Sequence, residues 1–281
     1  MSDEHSPRQN RLLAALPPTD YQRLSPHLDV VQMSSGCILH ESGGPLRHLY
    51  FPTTAIVSQF YVMEDGASVE ITGVGNEGMV GIALFMGGMT MPDCAKVLCT
   101  GHAYRMPVQT LMNELNRPGG RTGALHHLLL RYTQARMTQI AQVAACNRHH
   151  SLQQRLCRWL LSSLDKSSSN ELAVTQEAIA GALGVRREGI TAAAGRYQRT
   201  GLIRYHRGYI TILDRAGLEK QACECYQVVK QEFDRLLPDV TATRTVPPPC
   251  IPAYRAPSPK RIRATAAQLS PPLRILPQRF G

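Results

Sequence analysis

The sequence predicts an α+β chain: a β-roll or jelly roll first, then one long helix, a winged helix-turn-helix and a disordered tail. Three observations carry this. Residues 30–106 alternate in a β-like way between glycines at 36, 43, 44, 73, 75, 78, 81, 87 and 88, the mark of many short strands joined by turns. Residues 121–147 hold no proline, and no glycine after Gly123. Residues 174–203 (VTQEAIAGALGVRREGITAAAGRYQRTGLI) read as two short amphipathic helices across a glycine turn, followed at once by a hairpin, which is a winged helix-turn-helix pattern.

Residues 11–28 read as one or two short helices broken by Pro17-Pro18 and Pro26, because proline lacks the N–H a helix interior needs. Asp65-Gly66 is a hairpin turn. Before it Ile56, Phe60 and Val62 share a face; after it Val69 and Ile71 alternate with Ser68, Glu70 and Thr72. Residues 10–118 are therefore predicted to form the β-roll. In residues 119–147 Leu125, Leu128, Leu129, Tyr132, Ile140, Val143 and Ala144 recur at steps of three and four. That is a helix of about 25 residues, longer than the usual globular helix. It is read as a dimerisation helix with Leu125, Leu128, Leu129, Tyr132, Ile140 and Val143 as the seam; the alternative is a helix packed wholly on its own β domain. His126 and His127 are assigned to surface or seam. In residues 152–164 Leu152, Leu156, Trp159, Leu160 and Leu164 form a core stripe, and 167–170 is a loop.

Residues 148–214 are predicted to be the winged domain, and 215–237 a C-terminal helix. Thr175 is an N-cap; Ile179, Ala182 and Leu183 face inward; Gly184 makes the turn and Val185 plugs the angle between the helices. The second helix, 186–199, buries Ile190, Ala193, Ala194 and Tyr197. Arg187, Glu188, Thr191, Ala192 and Gly195 are left facing out. A recognition helix reads base edges with its N-terminal residues. Arginine bridges guanine O6 and N7, and glutamate accepts from cytosine N4. Arg186, Arg187, Glu188 and Thr191 are thus the predicted base readers on double-stranded DNA. Thr200-Gly201 stops the helix, and residues 202–205 and 209–213 form the wing across His206-Arg207-Gly208. Thr175, Gln176, Arg196, Arg199, Arg204 and Arg207 are placed on flanking phosphates, which position a protein without reading sequence.

The net charge of +10 sits mostly in the tail: residues 241–281 hold seven basic residues, no acid and nine of the nineteen prolines. Such a segment, 238–281, is expected to be disordered, adding sequence-blind attraction to phosphates or solubility alone. No apolar run reaches the roughly 18 residues of a membrane span. The N-terminus MSDEHSPRQNR has no apolar signal core, so the chain is placed in the cytoplasm, off the membrane. The eight cysteines at 37, 94, 99, 146, 157, 223, 225 and 250 are then expected to be free thiols. Cys223 and Cys225, two apart in a presumed helix, should point to different faces. His149 and His150 lie near Cys146 and Cys157, but the spacing fits no standard zinc pattern. No metal, cofactor or catalytic residue is predicted, and the chain is not expected to be an enzyme.

At this point the order of parts resembles the Crp/Fnr superfamily of bacterial transcription regulators. The stretch TQEAIAGALGVRREGIT (175–191) closely resembles its helix-turn-helix, and the resemblance covers roughly residues 10–237. It implies a cyclic-nucleotide-binding-like β-roll over 10–118 in the role of a sensor domain, a homodimer on a pseudo-palindromic site and RNA polymerase as a partner. It also implies where the chain departs. In the cyclic-AMP-binding members a cassette pairs a glycine–glutamate start with an Arg-Ser that grips the phosphate. The matching stretch here runs from Asn76-Glu77-Gly78 to Asp93-Cys94-Ala95, with Asp93-Cys94 where Arg-Ser would stand. Glu77, Gly78, Asp93 and Cys94 therefore form a degenerate effector cassette, expected not to bind cyclic nucleotide, since an aspartate repels the phosphate by about 1 kcal/mol or more. No cysteine precedes Cys37, so the N-terminal iron–sulfur cluster of the oxygen-sensing members is not expected. Members reading TGTGA-type half-sites carry an arginine one turn beyond the Arg-Glu pair; here that residue is Ala192, and a different half-site is expected. The alternative function is a metal- or thiol-dependent sensor using the β domain, with His40, Glu41, His48, Glu64, Glu70 and His102 as ligands or Cys94 and Cys99 as the switch.

Overall fold

The computed structural model describes residues 6–120, 123–167 and 169–237. The predicted tail lies outside them. Two short helices open the chain, α1 (Arg11–Ala14) and α2 (Pro18–Leu24). Asn10 caps α1 with Oδ1, which accepts from the N–H of Leu12 and Leu13. Its Nδ2 donates to the carbonyls of Pro52 (2.9 Å) and Gly78 (2.8 Å), pinning α1 to the sheets behind it.

The β-roll follows: β1 (Asp29–Met33), β2 (Ile38–His40), β3 (His48–Pro52), β4 (Ile56–Val62), β5 (Ser68–Val74), a short α3 (Ile82–Phe85), β6 (Cys94–Cys99) and β7 (Gly101–Pro107). All pairings are antiparallel, in two sheets of order β1-β7-β3 and β2-β6-β4-β5. The β4–β5 hairpin turns at Asp65-Gly66 as expected, with Val62 opposite Ser68. Met33, Val57, Val74, Val80, Ala95, Val97 and Ala103 fill the space between the sheets.

After α4 (Val108–Asn116) comes the long helix, α5 (Ala124–His149). Here the seam assignment is corrected. Leu128, Leu129 and Tyr132 are buried in their own chain, in one core with Leu12, Leu13, Leu49, Phe51, Met79, Met106 and Leu111, and Leu125 packs against the same core. Val143 is also buried; of the six predicted seam residues only Ile140, 39% exposed, faces out. The periodicity marked the stripe that faces the chain's own roll. A second stripe stays exposed: His127, Leu130, Gln134, Met137, Ala141, Ala144 and Arg148. Its alternating steps of three and four are the a/d spacing of a coiled coil.

The chain turns at Ser151 into α6 (Leu152–Leu164), closed by a capping box in which the Ser151 side chain accepts from the Gln154 N–H and the Gln154 side chain accepts from the Ser151 N–H. Ser151→Ala is expected to cost about 1 kcal/mol, read as a lowered midpoint in thermal unfolding. Then come β8 (Glu171–Ala173), α7 (Gln176–Leu183), α8 (Arg187–Arg199), β9 (Ile203–His206), β10 (Tyr209–Ile212), α9 (Arg215–Gln221) and α10 (Glu224–Leu236). Strand β8, three residues and too short to show alternation, adds a third strand to the wing by pairing with β10. The single C-terminal helix expected over 215–237 is two helices, broken where Ala222 and Cys223 are extended. The break lets α10 fold back along α5, with the Phe233 ring 6.5 Å from that of Tyr132. Arg11 donates to the Leu237 carbonyl at 3.0 Å and closes the two ends of the described chain together.

The second large core joins α6, α7, α8 and the wing, and it includes Ile56 and Cys99 of the roll. The helix-turn-helix is therefore packed on the roll, and Trp159 of α6 donates its indole N–H to Glu70 of β5 at 3.1 Å. No helix among the described residues is long and apolar enough to cross a membrane.

Candidate nucleic-acid interface

Thr175 caps α7, its hydroxyl accepting from the Ala178 N–H at 3.1 Å. Ile179, Ala180 and Leu183 are buried; Ala182, expected inward, is half-buried at the edge of the core. Gly184 ends the helix at φ 61°, a left-handed conformation that glycine adopts without a Cβ clash. Val185 packs between the helices as predicted. On α8 the buried face is Ile190, Ala193, Ala194 and Tyr197, the four residues expected. The Tyr197 hydroxyl donates to the Gln153 carbonyl at 2.8 Å and ties the recognition helix to α6.

This packing leaves Arg186, extended at the N-cap, and Arg187 and Glu188, in the first turn, exposed at the end of α8. Thr191 is exposed too, but its hydroxyl is engaged: Oγ1 lies 2.6 Å from Gln176 Oε1 and 3.1 Å from the Arg187 carbonyl. Gln176 is half-buried, and its own N–H donates to the Tyr205 hydroxyl at 3.3 Å. Thr191, expected on bases, and Gln176, expected on phosphate, thus lie together as a brace joining α7, α8 and the wing. Arg196, Arg199, Arg204 and Arg207 are exposed.

The wing turn is Arg207-Gly208 alone, with φ 46° and 85°, positive at both central positions as a two-residue primed hairpin turn requires. Arg207 is the one non-glycine with positive φ among the described residues, and such a position costs about 1 kcal/mol or more. Arg207→Gly is expected to hold or raise the unfolding midpoint while lowering the slope of log affinity against log salt by about one for each subunit bound. Anisotropy titrations of labelled duplex over a salt series check it.

The residues matching the effector cassette serve the chain itself. Glu77 is buried and accepts the Gly75 N–H at 3.0 Å. Gly78 lies against the Tyr132 ring of α5, where a Cβ would overlap the hydroxyl. That hydroxyl accepts the Met79 N–H (2.9 Å) and donates to the Met79 carbonyl (3.0 Å); burial pushes the phenol up to about 12. Asp93, fully buried, accepts from Gln59 Nε2 at 2.9 Å and lies 3.6 Å from His40 Nε2. Gln59 in turn accepts from Arg136 of α5, which also donates to Thr72 Oγ1 (2.6 Å), the Gly73 carbonyl (3.2 Å) and Gln139 Oε1 (3.0 Å). A buried polar chain thus runs from β2 through the roll into the long helix. Sequence reasoning missed it, because its members are scattered from His40 to Gln139 and none forms a motif.

The residues offered for a metal site in the roll do not converge. Glu70 takes Trp159 and Ser58, and His40 faces Asp93. Cys94 and Cys99 are buried in β6, and burial raises both thiols, Cys99 to about 12, which suppresses the reactive thiolate. Among the described residues, the group that could hold a metal is elsewhere: Cys146, His150, Cys223 and Cys225. The sequence had set Cys223 and Cys225 on different faces of a helix; Cys223 lies before the helix, so both thiols reach one point.

Residues 154–221 match the family of Crp-like helix-turn-helix domains. No curated protein matches the chain. Among solved structures it is similar to FixK2 from Bradyrhizobium japonicum, at 12% identity over 70% of this chain and 98% of that one, with a TM-score of 0.59. It is also similar to the c-di-GMP responsive global regulator CLP of Xanthomonas campestris, at 15% identity over 70% and 100% of the two chains, with a TM-score of 0.56. A CRP family transcriptional regulator from Thermus thermophilus aligns at 20% identity over 68% and 96%, with a TM-score of 0.55. At these identities the likeness is one of fold.

Proposed function

We infer, from a chain that carries a Crp-like helix-turn-helix domain in the fold of the Crp/Fnr transcription regulators, that it is a sequence-specific DNA-binding regulator working as a homodimer. The observation that carries this is the exposed Arg186-Arg187-Glu188 at the N-terminal end of α8, flanked by Arg196, Arg199, Arg204 and Arg207. Base-reading chemistry stands where a helix enters the major groove, and cations stand where the flanking phosphates pass. The exposed a/d stripe on α5 supports the dimer, which would present two recognition helices to half-sites about one helical turn apart. RNA polymerase is the partner through which such a regulator acts.

The roll holds an occupied interior. Arg136, the cation inside it, is engaged by Gln59, Thr72, Gly73 and Gln139, and Asp93 by Gln59. A cyclic phosphate entering there would have to break that network and face a buried carboxylate. This supports a regulator whose DNA binding does not depend on cyclic nucleotide.

The test starts with selection of bound fragments from a genomic library by the purified chain, without added ligand, to define a cognate site. Arg187→Ala is then expected to lose about 1–3 kcal/mol there, roughly 5- to 150-fold in affinity, and to relax preference at one base position. Arg187 is exposed, so the thermal midpoint should not move. Wild-type affinity in Arg187→Ala would remove α8 from the major groove.

A further inference from the structure

The C-terminal end of α5 and the start of α10 bring three thiols and one imidazole to a single point. Cys146 lies in the last turn of α5 and His150 is its C-cap. Cys223 is the extended N-cap of α10, and Cys225 lies in that helix's first turn. Their ligand atoms all fall within 4.8 Å of one another. Cys146 Sγ is 3.6 Å from Cys223 Sγ, and Cys225 Sγ is 3.4 Å from His150 Nδ1. A tetrahedral zinc ion, with Zn–S about 2.3 Å and Zn–N about 2.0–2.1 Å, sets S···S near about 3.8 Å and S···N near about 3.6 Å.

The surroundings point the same way. The three cysteines are 0%, 4% and 1% exposed and form a cluster apart from the apolar cores. His150 Nε2 lies 3.4 Å from Glu224 Oε2 while Nδ1 faces Cys225 Sγ, so a carboxylate stands on the far side of the ring, where an outer carboxylate orients metal-bound histidine. Gln142 Nε2 donates to Cys225 Sγ at 3.2 Å.

We propose that Cys146, His150, Cys223 and Cys225 bind one zinc ion. Four protein ligands leave no open position, so the site is structural. It clamps α10 to the end of α5, one residue before the chain turns at Ser151 into the DNA-reading half. Metal loss would free that junction, so zinc occupancy would govern how firmly the two halves are joined. The proposal stands apart from the DNA-binding reading, and its test does not involve DNA.

The full chain, purified under reducing conditions without chelator, is expected to carry about one zinc per chain by elemental analysis. Replacement by cobalt(II) is expected to give the thiolate-to-metal charge-transfer band and the strong visible bands of a tetrahedral sulfur-rich site. Cys146→Ser and Cys225→Ser should lose the metal, whereas Cys37→Ser, at an exposed position, should keep it. A cysteine variant that fails to fold would also lose metal, so His150→Cys is included: it should keep one metal per chain and intensify the cobalt charge-transfer band. The proposal is overturned by a chain that takes up neither metal, by a Cys146–Cys223 disulfide under these conditions, or by one metal per chain persisting in the Cys146→Ser/Cys225→Ser double variant.

Discussion

The double variant Leu130→Glu/Met137→Glu is expected to sediment as a monomer and to bind the selected palindrome about 10²–10⁴-fold more weakly than the parent, the scale on which linked half-site contacts multiply affinity. Leu130 is 46% exposed and Met137 66% exposed, two turns apart on one face of α5, with Gln134, Ala141 and Ala144 completing the stripe. Glutamates there would meet their own copies across a two-fold axis, adding like-charge repulsion and removing apolar burial. Neither side chain belongs to the chain's cores, so the circular dichroism spectrum should be unchanged. Leu128→Glu makes the contrast. Leu128 is 3% exposed among Leu12, Leu49 and Met106, and the charge there should unfold the roll. A double variant that remains dimeric would assign the dimer interface to another surface.

The second large effect is expected at Arg136. Arg136 is 5% exposed, and its guanidinium serves four acceptors on β4, β5 and α5. Arg136→Met keeps much of the volume but strands Gln59 and Gln139, and through Gln59 it loosens Asp93. Breaking a buried charged network by removing one member costs about 3–5 kcal/mol, and at about 2–4 °C per kcal/mol for a chain of this size the midpoint should fall by about 10 °C. Arg136→Lys keeps the charge but not the planar fork, and should fall in between. An unchanged midpoint in Arg136→Met would mean that the network contributes nothing net to stability.

How much of this was legible in the sequence depended on how local the cause was. The helix-turn-helix was legible almost residue by residue, because the Thr175 cap, Gly184, the Ile190–Tyr197 stripe and the Thr200-Gly201 stop act within one or two turns of themselves. The roll was legible as a class but not as a pairing, since β1 meets β7 and β2 meets β6 across stretches of chain that periodicity does not span. On α5 the period was right and the face wrong, because Leu128, Leu129 and Tyr132 look alike whether they meet a partner or their own sheet. Asp93 was singled out for its repulsion of a phosphate, and the structure makes it an acceptor for Gln59. The four possible zinc ligands were hidden by the break before α10, which no proline or glycine announces.

The contact between Trp159 and Glu70 gives the molecule a built-in optical gauge. Trp159 is the chain's only tryptophan; its ring lies in the core of the DNA-reading half, and its N–H reaches a carboxylate of the roll. Emission excited at the red edge of the absorption, where indole absorbs and the ten tyrosines do not, therefore comes from one fluorophore at the boundary of the two halves. If they part or swing when a duplex or a metal binds, the indole exchanges a fixed carboxylate for solvent, and the emission maximum and lifetime record the movement directly.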